Sequence, residues 1–97
     1  MTVMPKGLEY QGQKLWKAIV SDYDLEEEPH KRRILFDACK VADLVDKLEK
    51  AMTGQPMTVK GSQLQPVIHP LISEVRYQRG LLAQLLARLN FAPAEED

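Results

Sequence analysis

This 97-residue chain is poor in thiol, imidazole and indole side chains, with one cysteine, two histidines and one tryptophan. Cys39 has no second thiol, so no internal disulfide can hold the fold, and such usage fits a reducing compartment. His30 and His69 each adjoin a proline, and neither has the partner four residues away that a zinc-binding helix needs. No histidine lies near Cys39 in sequence, which reads as a packing cysteine rather than a nucleophile. Neither common glycine-rich phosphate loop occurs. No catalytic residue, metal ligand or cofactor is therefore assigned. No apolar run approaches the roughly 18–20 residues of a bilayer span, and the first residues lack a signal-type apolar core. Thirteen Lys and Arg against fourteen Asp and Glu give a net charge of −1, which excludes a whole-molecule basic field. With 44% hydrophobic and 28% charged residues, the chain is not disordered throughout. A single soluble, cytoplasmic domain with no membrane partner is expected.

What is present is helical periodicity cut by prolines and glycines. Residues 1–7, with Pro5 and Gly7, read as a flexible arm. Leu15, Trp16, Ile19, Val20 and Tyr23 share one side of a helix over 8–23, which Gly12 weakens by about 1 kcal/mol relative to Ala. A second helix over 26–53 starts with acidic residues and Pro29, and Gly54 with Pro56 stops it. Ile34, Ala38, Val41, Val45, Leu48 and Met52 form a heptad seam along it, with Leu35, Cys39 and Ala42 beside them. A helix of that length spans roughly 40 Å and must project from a compact body. Residues 55–69 read as two short extended runs around Gly61, restricted to an edge ribbon by Pro66 and Pro70. Such a ribbon is marginal unless it leans on the helices. A third helix over 70–90 ends at Asn90, with Pro93 and an acidic tail over 91–97 beyond it. The fold class is mainly α: a long antiparallel helical hairpin with a short β-ribbon at the turn and an additional N-terminal helix.

Two surfaces are candidates for function. Lys31, Arg32 and Arg33 follow His30 within one helical turn, and Arg76 and Arg79 on the third helix, three residues apart, could add to one basic stripe in an assembly. These cations either contact nucleic-acid phosphates or form a solvated face neutralised by Glu26, Glu27 and Glu28. Leu81, Leu82, Leu85, Leu86 and Leu89 are too broad a face for one narrow seam. They form either a wide core stripe with Trp16 inserted or, with Val41, Val45 and Leu48, a contact between copies.

The order of features resembles the phage terminase small-subunit family, in the branch found near HNH nucleases. The resemblance rests on Trp16 in an early helix, a long helix ending at Gly54, and a ribbon at Gly61. It continues with His69-Pro70-Leu71, Glu74, Arg76, the leucines at 81, 82, 85, 86 and 89, and Pro93. It covers about Leu8 to Pro93 and implies a non-catalytic, ring-like homo-oligomer in the bacterial host cytoplasm. Such proteins engage viral double-stranded DNA and regulate the large subunit that carries ATPase and nuclease. By the resemblance, Trp16 and the leucines are structural and Arg76 is a DNA or interface residue. Two features depart from the family: the N-terminal region is short rather than long and basic, and Asn90 replaces a common glycine. The alternative is a helical interaction or regulatory module that binds no DNA.

Overall fold

The computed structural model describes residues 2–90, so the acidic tail at 91–97, Pro93 included, lies outside the described residues. The architecture is mainly α. Helix α1 spans Tyr10–Asp22, α2 Pro29–Met52 and α3 Pro70–Leu89, with strands β1 Thr58–Lys60 and β2 Pro66–Ile68 between the last two. α3 returns antiparallel along α2: Ile72 and Val75 lie beside Met52 and Glu49, whereas Leu82 and Leu86 lie beside Val45 and Ala42. The molecule measures 58 × 32 × 19 Å with a radius of gyration of 17.2 Å, against about 13 Å for a compact chain of this length.

Helix boundaries follow local chemistry. α2 begins at Pro29 rather than at 26, because Asp24 Oδ1 accepts the Glu26 N–H at 3.0 Å and folds the connection into a turn. Proline in the first turn of α2 forfeits no helical hydrogen bond. Gly54 takes a φ of 81° just beyond that helix, a conformation glycine adopts without steric cost. His69 caps α3 by accepting the Leu71 N–H on Nδ1 at 3.1 Å, and Asn90 closes it in the left-handed conformation.

The core sits at one end of the hairpin, where Leu8, Trp16, Leu25, Leu35, Cys39 and Leu89 are buried together. Met4 packs against this cluster, so the N-terminal arm, read as flexible from the sequence, lies on the core through Met4 and Leu8. On α2 burial is complete at Leu35, Ala38 and Cys39, one residue of the heptad seam and two beside it. Of the seam, Ala38 and Val45 are buried, while Ile34, Val41, Leu48 and Met52 are half-buried. The cause is geometric: α1 and α3 both pack on α2, and the stripe between their lines of contact is covered from two sides.

The contact between α1 and α2 is polar at its centre. Asp43, buried on α2, accepts the Glu9 N–H on Oδ2 at 2.8 Å and the Gly12 N–H on Oδ1 at 2.6 Å. Glu9 is the N-cap of α1, and its own side chain caps nothing. In an ordinary capping box the N-cap side chain serves the third helical N–H, and that third residue serves the N-cap N–H in return. Here one carboxylate from another helix does both, and its charge opposes the positive end of α1. Gly12 makes the approach possible. A Cβ at that position would fall inside contact distance of Asp43 Oδ2 and 2.8 Å from the Cys39 carbonyl oxygen. Lys47 Nζ meets Glu9 Oε2 at 2.9 Å on the rim, and this hydrogen bond and charge raise the Lys47 pKa.

The ribbon carries a second backbone constraint. Leu64 occupies the left-handed region at φ 66°, where L side chains pay a steric cost, and it is exposed. Neither strand packs broadly on a helix, so the ribbon stands clear of the hairpin instead of leaning on it.

Gly12→Ala is expected to lower unfolding free energy by about 1–3 kcal/mol in urea titration, the usual penalty of overpacking a tight contact. Ordinary helix propensity predicts a gain instead. The penalty should shrink in an Asp43→Ala background, because one of the two colliding groups is gone. A stabilised Gly12→Ala protein would contradict the tight approach of α1 to α2.

Candidate functional site

The basic run opens α2, and each member has a neighbour. Lys31 Nζ meets Glu28 Oε1 at 3.3 Å. Arg33 Nε meets Asp37 Oδ2 at 3.4 Å, and its guanidinium lies 5.9 Å from the Phe36 ring centroid. Arg32 serves the fold, because one of its terminal nitrogens donates to the Leu25 and Glu26 carbonyls at 2.6 Å each. Those bonds tie the α1–α2 connection to α2 and hold Leu25 in the core. Arg33 is the most open of the three, with its side chain 73% exposed.

Arg76 is exposed on α3, beside Glu49 and Met52 at the far end of α2. Arg33 and Glu49 are separated by roughly 24 Å along that helix at about 1.5 Å per residue. A single chain therefore does not gather Lys31, Arg32, Arg33 and Arg76 into one patch. Arg79, the neighbour of Arg76, is ion-paired with Glu49.

Sequence reasoning missed the exposed cations of α1, although their spacing carries the signal. Lys14 and Lys17 have no acidic residue three or four positions away, and both are exposed. Lys14 Nζ lies 6.0 Å from the centroid of Tyr10, itself 71% exposed.

The leucine face divides along its length. Leu89 is buried in the core, whereas Leu81, Leu82, Leu85 and Leu86 remain half-buried after α3 has packed on α2. A depression between the two helices is lined by Ala42, Val45, Leu82 and Leu86, with Glu49 and Arg79 at its polar end. Trp16 is buried in the core, and its Nε1 has no hydrogen-bond partner among the described residues.

Among the described residues, no three His, Cys, Asp or Glu side chains converge to hold a metal ion. No helix among them is long and apolar enough to cross a membrane. Cys39 is fully buried, and its thiol is pushed up to about 12, first by burial and then by the charge of Asp43.

No protein-family model, curated protein or solved structure matches the chain.

At pH 8 a thiol with a pKa of about 12 is ionised in roughly one molecule in ten thousand. Iodoacetamide should therefore leave native Cys39 unlabelled and react on unfolding. Because the folded thiol holds its proton more tightly than the unfolded one, its contribution to stability is complete below about pH 9 and falls as pH rises towards 12. Cys39→Ala should flatten that alkaline loss. Rapid native labelling at pH 8 would show that the thiol is accessible and contradict the packing role.

Proposed function

We propose that the chain is the small, non-catalytic subunit of a phage or prophage terminase. It acts as a homo-oligomeric adaptor, ring-like in assembly, that engages viral double-stranded DNA and recruits or regulates the large ATPase/nuclease subunit in the bacterial host cytoplasm. The observation that carries this reading is the incomplete coverage of a long hairpin. Leu81, Leu82, Leu85 and Leu86 stay half-buried within one chain, as do Val41 and Leu48. Burying apolar surface yields about 25 cal/mol per Å², so a second copy on this face gains what the monomer leaves unused. The order of features from Trp16 to Leu89 that resembles the small-terminase family supplies the identity of the partners.

DNA contact on this reading is made to phosphates through Lys31, Arg33 and Arg76, with Arg32 adding only the nitrogens left over from its loop bonds. An oligomer repeats each cation and converts weak sites into useful avidity. The rival reading, a helical interaction module without DNA, is favoured by the intramolecular partners of Lys31 and Arg33.

Duplex-DNA binding followed by fluorescence anisotropy across a salt series separates the two. The terminase reading expects affinity to fall steeply with salt. Arg76→Ala should weaken binding and make the salt slope shallower by about one for each phosphate deprived of its cation. Arg76→Ala should leave the unfolding midpoint unchanged. Arg32→Ala should lower it, because two carbonyls at the α1–α2 connection lose their donor. Absence of binding at low salt would remove the DNA role and favour the interaction module.

A further inference from the structure

The ribbon between α2 and α3 has one open edge and one closed edge. His69 N–H donates to the Met57 carbonyl at 2.9 Å, and Gly61 N–H donates to the Gln65 carbonyl at 2.6 Å. Between those bonds the register pairs Thr58 with Ile68, Val59 with Val67 and Lys60 with Pro66. In an antiparallel ladder, hydrogen-bonded and non-hydrogen-bonded pairs alternate. Val59 and Val67 are therefore bonded to each other through the backbone, while Thr58, Lys60, Pro66 and Ile68 turn their backbone groups outward.

The two outer edges then differ. On β1, Thr58 and Lys60 each present an N–H and a C=O, and both residues are exposed. On β2, Pro66 has no N–H to present, and Pro70 follows directly after His69. Proline on an outer edge blocks strand addition, whereas an unprotected edge is a template for it. The ribbon also exposes Met57 at 75% and Ile68 at 51%, with Val67 at the margin of exposure. Between 53 and 69 there is no acidic residue, and Lys60 is the only lysine or arginine.

We propose that the ribbon is a self-association element in which the β1 edges of two copies pair antiparallel across a two-fold axis at Val59. In that register Thr58 of each copy bonds Lys60 of the other, which completes four backbone hydrogen bonds. Lys60 then faces threonine rather than a second lysine, so no like charges meet. Val59 stacks on its own equivalent. Met57 lies across from Gly61 of the second copy, which has no side chain to obstruct it. The product is a four-stranded sheet in the order β2–β1–β1–β2, whose two outer edges both carry Pro66. Growth through the ribbon itself stops at two copies.

The contact uses a different surface from the leucine face of the proposed function, and it does not depend on DNA binding. Three-residue strands form an interface well below the roughly 800 Å² per partner of a standard complex, so the pairing is reversible and depends on concentration.

The test is sedimentation velocity on the full chain over a concentration series, with Val59→Lys, Val59→Glu and Thr58→Pro variants. Each Val59 variant places two like charges on the axis and should weaken ribbon association by about ten-fold or more. An equimolar mixture of Val59→Lys with Val59→Glu should restore it, because opposite charges then meet. Thr58→Pro removes only outward-facing donors, so it should weaken association while helical circular dichroism is unchanged. Recovery on mixing confirms the pairing, because a variant that merely disturbed the ribbon would not be rescued by a second disturbed ribbon. A wild-type assembly whose mass is unaffected by all three variants would overturn ribbon pairing and leave assembly through the leucine face standing. A wild-type monomer at every concentration would overturn both. Association through the ribbon with no affinity for DNA would uphold the pairing and remove the DNA half of the terminase reading.

Discussion

The fold depends on one buried carboxylate. Asp43 takes the Glu9 and Gly12 amides, the two N–H groups that a capping box would satisfy within α1. An ionised side chain is costly to bury unless charge-assisted bonds replace its water, and these two bonds at 2.8 and 2.6 Å do so. The arrangement sets the distance between α1 and α2, and that distance requires glycine at position 12. With α1 fixed, Trp16 reaches the core beside Leu35 and Cys39, and Leu8 closes over them. The charge that anchors the helix also helps keep the Cys39 thiol protonated.

From that anchored end the molecule becomes progressively less covered. Around Leu35 and Leu89 three helices and the N-terminal arm share a core. Past Val45, α2 is covered mainly by α3, with Lys47 reaching Glu9 at the rim, and the side chains there are half-buried or exposed. The ribbon at the far end has almost no support from the helices. With such a gradient, one end supplies stability and the rest offers surface to other molecules. Such loosely supported elements belong to the low-stability part of a protein, which is where binding segments are commonly found.

The helices were legible because their signals are local. Pro29 and Pro70 mark helix starts, Gly54 and Asn90 mark ends, and leucine spacing marks the side of α3 that faces α2. The ribbon was legible for the same reason, with Gly61 between two short extended runs. What escaped was tertiary. Gly12 reads locally as a defect in α1, and only the approach of Asp43 makes it a requirement. Asp43 reads as an ordinary solvated acid because its partners lie 31 and 34 residues away. Arg32 reads as one cation in a run, although its bonds to Leu25 and Glu26 close a loop. The separation of Arg76 from Lys31 and Arg33 follows from the antiparallel return of α3, which brings α3's N-terminal half to the end of α2.

Amide hydrogen exchange measured residue by residue tests the Asp43 anchor most directly. In an unsupported helix, the N-cap amide of Glu9 and the third-position amide of Gly12 face solvent and exchange within the first turn's fraying. If Asp43 holds them, both should be protected to the level of the α2 core amides around Cys39, and both should lose protection together in Asp43→Ala, which removes both acceptor oxygens. Fast exchange at Glu9 and Gly12 in the unaltered protein, with α2 still protected, would contradict the account.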